Sequence, residues 1–166
     1  MHWDRTHCAD RRGAALADRH YSRKTVGAVQ FTPPARRVVL LTPAGDAVWV
    51  TSWPKVQFLD RSWCREEHWQ CTLFRNEGSV LSSTLIRQAV AATRAVWGDP
   101  PPLGMLTFID AGKVRHKRDP GRCYLRAGFT RYGATAGGLI VLRLTPDAMP
   151  EPCRPGNVQL GLQVSA

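Results

Sequence analysis

Four consecutive apolar residues in RRVVLLT (36–42), set between basic residues and a turn, predict a buried strand. PAGD (43–46) reads as the turn and AVWVTSW (47–53) as the returning strand, so the pair predicts a hairpin. An irregular stretch rich in Trp and Arg (54–68) leads to a third strand, WQCTLFRNE (69–77). The apolar period then lengthens to that of a helix. Leu85, Ile86, Ala89, Val90, Val96 and Trp97 recur on one face, leaving Arg87, Gln88, Ala91 and Arg94 outside. Ser82 or Ser83 is the expected N-cap, and Gly98 followed by DPPP (99–102) stops the helix. LGMLTFID (103–110) predicts a strand ending in an acid, RCYLRAGF (122–129) a short helix stopped by Gly128, and GGLIVLRLT (137–145) the closing strand. Near the start, residues 9–20 predict a short helix with Ala14, Leu16 and Ala17 as its apolar residues, delivering His20 and Tyr21 at its end. This order predicts an α/β (α+β) fold: one mostly antiparallel sheet with flanking helices, a single domain over 1–145. From Pro146 onward the chain is Pro-rich and aperiodic, and a tail over the surface, or a mobile one, is expected.

Composition narrows the partners. At 43% hydrophobic, 166 residues suffice for a real core, and no stretch approaches the ~20 apolar residues of a membrane span. The first twenty residues lack the apolar core of a secretory signal, so a cytoplasmic protein without a membrane partner is the expectation. Lys and Arg outnumber Asp and Glu by 23 to 13, giving a net charge of +10, which attracts polyanions and nucleic acid above all. From residue 127 on there are only Arg131, Arg143 and Arg154 against Asp147 and Glu151, so the excess is not a basic tail. KVRHKRDPGR (113–122) concentrates Lys113, Arg115, Lys117, Arg118 and Arg122 around His116. Such a run is usually a solvated loop; between an acid-ended strand and a tyrosine-bearing helix it reads as a phosphate clamp on double-stranded DNA. Five cysteines without a C-x-x-C pair argue against a zinc ribbon and against a disulfide framework. Cys64, His68 and Cys71 are too few and too unevenly spaced to make metal binding the leading reading, so the thiols are expected reduced and mostly buried. Trp49, Trp53, Trp63 and Trp69 are expected in the core, with one or two available to stack on a base drawn out of a duplex.

The chemistry-bearing motifs are short. A strand ending in Asp110, a loop, Tyr124-x-x-x-Gly128-Phe129 and a further strand together resemble the second half of the GNAT acyltransferase fold. In that fold a tyrosine near the start of the last helix protonates the leaving thiolate of acetyl-CoA. A GNAT loop that cradles coenzyme A has the form Q/R-x-x-G-x-G/A; RNEGSV supplies Arg75 and Gly78 but Val80 in the last place, with Ser79, Ser82 and Ser83 as further donors. Acetyl-CoA is therefore half supported. His20-Tyr21-Ser22, taken with Asp110 and with Tyr124, Gly128 and Phe129, is similar to the Mom family of phage DNA-modification proteins, over residues 18 to about 142. That resemblance implies a GNAT-like fold, conversion of adenine in DNA to its N6-carbamoylmethyl form, protection from restriction, and His20, Tyr21, Asp110 and Tyr124 at the catalytic site. It also implies iron, with His20 and Asp110 as ligands. One imidazole and one carboxylate suit iron without specifying it. By residue type alone His20 is an exposed helix-end histidine and Tyr124 a packed ring. An acetyl-CoA-dependent N-acetyltransferase acting on a small amine or a protein, and an inert DNA-binding module on the same fold, stand as alternatives.

Overall fold

The computed structural model describes residues 1–32, 34–55, 64–114 and 119–157. In chain order these form β1 (Asp4–Thr6), α1 (Arg11–Asp18), β2 (Arg36–Leu41), β3 (Ala47–Trp53), β4 (Trp69–Asn76), α2 (Ser82–Trp97), β5 (Met105–Ile109), α3 (Arg122–Arg126), β6 (Thr130–Ala134), β7 (Ile140–Leu144) and β8 (Gly156–Asn157). All the strands join one sheet in the order β6-β7-β5-β4-β3-β2-β1-β8. The neighbours are antiparallel except β4–β5 and β1–β8. The expected mixed α/β fold, a mostly antiparallel sheet flanked by helices, is what the chain forms. No helix among the described residues is long and apolar enough to cross a membrane.

Both faces of the central strands are covered, which explains the unbroken apolar runs of β2 and β3. Val39, Leu41, Val48 and Val50 pack against Leu16 and Ala17 of α1 and against Phe31. Val38, Leu40, Ala47 and Trp49 point the other way, toward Leu85, Ile86, Ala89 and Val90 of α2 and toward Tyr124 and Phe129. Each fully buried Leu or Ile in these layers contributes about 1.5–3 kcal/mol of transfer free energy.

Several local expectations need correction. The N-cap of α2 is Leu81, not a serine, and no side chain caps the helix; Ser82 instead accepts a hydrogen bond from Asn76. Ala91 is buried rather than outside, because the chain after Pro146 returns across α2: Cys153 N–H donates to the Ala91 carbonyl, and Arg94 donates to Pro150. Residues 146–157 are thus part of the fold beyond 145, with Met149 in the core and Gly156–Asn157 adding a strand beside β1. The helix expected over 9–20 is shorter, starting after its cap Asp10. Three strands had no counterpart in the periodicity: β1, β6 and β8. All five residues of β6 are exposed, so it carries no apolar alternation.

Candidate active site

β4, α2 and β5 make a parallel crossover unit, yet β4 and β5 pair only at Trp69–Met105, Gln70–Leu106 and Cys71–Thr107. The next residue of β4, Thr72, is a bulge: Val50 of β3 faces Leu73, while Thr51 faces Cys71. A bulge bends and twists its strand. Here it also turns the side-chain alternation over, so Cys71 and Leu73 lie on opposite faces of the sheet. Beyond the bulge the two parallel strands separate, and a cavity of about 710 Å³ opens between their carboxyl ends. Ligands of open α/β sheets bind outside the carboxyl ends of parallel strands.

Residues far apart in the chain meet in this cavity. His20, Tyr21 and Ser22 arrive from the segment after α1, Cys71 and Thr72 from β4, Thr107 and Asp110 from β5, and Cys123 and Tyr124 from α3. Gly121, which caps α3, has φ +83 and places the helix against Leu142, where a side chain would be strained. Tyr124 is 7% exposed, and its hydroxyl lies 3.4 Å from Cys71 Sγ. Burial, and then the neighbouring Cys71, raise the Tyr124 phenol well above its ordinary value, so it is a protonated hydrogen-bond donor at any physiological pH. Burial likewise pushes the Cys71 thiol up to about 12, which leaves it a thiol and a poor nucleophile.

At the mouth, Ser22 N–H donates to His20 Nδ1 at 3.2 Å, and Ser22 Oγ lies 2.7 Å from the same nitrogen. A neutral His20 ring therefore carries its proton on Nε2. Its ring stacks on Tyr21, with centroids 4.4 Å apart. Tyr21 is raised above its ordinary value, mainly by burial, while its oxygen accepts from the Asp110 backbone N–H. Asp110 Oδ1 accepts the backbone N–H groups of Gly112 and Lys113, and Oδ2 faces Lys113 Nζ at 3.8 Å. The acid thus closes its own turn at the cavity wall.

The loop expected to hold a pyrophosphate is built otherwise. Arg75 donates to Glu77 and to the Arg19 carbonyl, and Arg19 binds Glu77 through two nitrogens at 2.8 and 2.6 Å. Gly78 is required because a Cβ there would fall against the Asp46 carboxylate, which accepts from Thr42. Arg75 and Gly78 are thereby committed to protein contacts. Ser82 lines the cavity, and Ser79 is exposed beside it.

His20 and Asp110, the expected iron ligands, both line the cavity. No group of three or more His, Cys, Asp or Glu that would hold a metal is gathered among the described residues. Cys64 and Cys71 are not brought together: Cys64 packs with Leu103 and Leu106, while Cys71 opens on the cavity. His68 is buried, and its Nδ1 lies 2.7 Å from the Glu66 carbonyl. Of the basic loop, Lys113 lines the cavity and Arg122 is exposed, whereas Arg115, Lys117 and Arg118, with His116, lie outside the described residues. Trp49 and Trp69 are fully buried; Trp53 is half-buried against Trp69 and Trp97, under the Arg36 guanidinium. Trp63 lies outside the described residues.

Sequence reasoning missed Cys71, Thr107 and Cys123 as cavity residues. Thr107 carried a signal, being the polar residue inside the apolar strand MLTFI. Cys71 carried none, because its direction depends on the bulge. No family model matches the chain, and neither does any curated protein or solved structure.

Proposed function

We propose that this chain is a GNAT-like DNA-modifying enzyme that converts adenine in DNA to N6-carbamoylmethyladenine. One observation carries the reading: His20-Tyr21-Ser22, Asp110 and Tyr124, which resemble Mom motifs from three separate parts of the sequence, line a single cavity where two parallel strands part. Motifs three to six residues long recur by chance; their meeting around one cleft is what supports the reading. The net charge of +10 supplies the attraction to DNA.

In this reading the adenine leaves the helix stack and enters the cavity. Tyr124, kept protonated by burial, donates to the leaving group or to the charge developing during transfer. His20 lines the same cavity, and Tyr21 holds the wall through the Asp110 amide. The loop lends acetyl-CoA little support as the donor, because Glu77 engages Arg75 and the Asp46 carboxylate stands beside Gly78, where the pyrophosphate would lie.

The deciding experiment is a nucleoside digest, analysed by mass spectrometry, of DNA from cells expressing the protein. Carbamoylmethylated adenine from wild type, and its loss in His20→Ala, is the expected result. Unmodified nucleosides alongside tight DNA binding leave an inert binding module. Thiol release from acetyl-CoA in the presence of an amine replaces the reading with an N-acetyltransferase.

A further inference from the structure

Tyr124 lies at the floor of the cavity, nearly out of solvent. A stacked base cannot reach it, so a device that parts the duplex is needed beside the mouth. The segment directly after His20-Tyr21-Ser22 has the required properties. Val26 and Val29 are 71% and 74% exposed, the two highest exposures among the large apolar side chains of the described residues. They follow Lys24, which lines the cavity.

Their loop is held by the hydrogen bonds of one side chain, Arg23. The Arg23 side chain is only 9% exposed, a rare condition for arginine. It donates to Asp18 at 2.7 Å, to the Ala28 carbonyl at 2.8 Å and to the Gln30 carbonyl at 3.3 Å. The other Asp18 oxygen accepts Gly27 N–H at 3.0 Å. One part-buried ion pair thus ties both ends and the tip of residues 23–30. A second cavity of about 400 Å³ lies under the loop and shares Ser22, Arg23, Lys24, Thr72 and Leu73 with the first. The loop therefore stands over the rim rather than on an unrelated face.

Resting on the reading of a DNA-base-modifying site, we propose that residues 23–30 form a preorganised wedge. Val26 and Val29 insert between base steps of duplex DNA, while Lys24 at the cavity rim faces its phosphates. Apolar side chains inserted between steps unstack and kink a duplex. Because the loop is already clamped, insertion does not have to order it first.

Ligating a nicked plasmid in the presence of the protein reads this directly, since a wedge unwinds DNA and shifts the linking number whatever the sequence. Wild type is expected to shift the topoisomer distribution. The Val26→Ser/Val29→Ser variant, altered only at exposed positions, should lose the shift while its duplex Kd stays within about twofold, since phosphate contacts dominate affinity. No shift with wild type, or an undiminished shift with the variant, overturns the wedge. So does valine-dependent binding to vesicles rich in phosphatidylserine when plasmid topology is unaffected. The two readings fail separately: modified adenine with no linking-number change removes the wedge alone, and a valine-dependent shift with unmodified adenine removes the enzyme alone.

Discussion

Tyr124→Phe separates chemistry from packing at the centre of the cavity. The ring keeps its edge contacts, with centroids 5.4 Å from Phe129, 6.2 Å from Phe74 and 6.4 Å from Trp49. What is lost is a hydroxyl with two side-chain partners, Cys71 Sγ at 3.4 Å and the buried Thr107 hydroxyl. A typical hydrogen bond contributes about 0.5–1.5 kcal/mol net, and a thiol partner belongs at the low end. Removing the phenol oxygen also removes the cost of burying it. The two nearly cancel, so stability should change by less than about 1 kcal/mol. For a chain of this size that is a melting shift of at most about 2–4 °C. Activity should fall about a hundredfold or more if the hydroxyl donates in the transition state. The assay pairs thermal melting with the fraction of adenine modified in plasmid from cells holding equal amounts of each protein. Phe129→Ala is the counterpart: its ring is 2% exposed, and truncation should cost about 3–5 kcal/mol. Wild-type modification by Tyr124→Phe would make the tyrosine a packing residue and refute the reasoning.

Three further outcomes follow from the geometry. Gly78→Ala should destabilise by about 1–3 kcal/mol in urea titration, because the new methyl displaces the Asp46 carboxylate from Thr42; a neutral result would mean that the loop yields freely. The Arg19 and Arg75 hydrogen bonds hold the Glu77 carboxyl down at about 2, against 4.5 for a free one. Its stabilisation is therefore fully present above pH 4.5 and lost as pH falls toward 2, so Glu77→Gln should flatten that limb of the melting-temperature profile. Replacing Lys113 and Arg122 by Ala should reduce the slope of log Kd against log salt for duplex DNA by about two; an unchanged slope would take both off the interface.

The parts of the fold legible in the sequence are those with a strong period. The β2–β3 hairpin and α2 are defined by which residues are apolar, and the structure leaves them where the pattern puts them. β1 is the tripeptide DRT, a strand only through its pairing with β2 and β8, so nothing local announces it. The burial of Ala91 depends on Cys153, sixty residues away, crossing the helix. The site divides in the same way. His20, Tyr21, Asp110 and Tyr124 were reached through a resemblance, and the fold brings them to one cavity. Arg75 and Gly78 matched half of a phosphate-loop pattern, yet each has a structural reason that no short motif displays: a salt bridge to Glu77, and the approach of Asp46.

The brief contact between β4 and β5 has a mechanical consequence. It divides the sheet into a five-strand block, β8-β1-β2-β3-β4, and a three-strand block, β5-β7-β6. His20, Tyr21 and Cys71 belong to the first, and Asp110, Cys123 and Tyr124 come from chain attached to the second. The Tyr124 ring lies across the gap, touching Trp49 and Phe74 on the opposite bank. One side chain thus rivets the two blocks together. Under the proposed function, tightening the joint with bulkier neighbours would stiffen the protein at the cost of the space for the base, so stability and turnover would pull against each other at this residue.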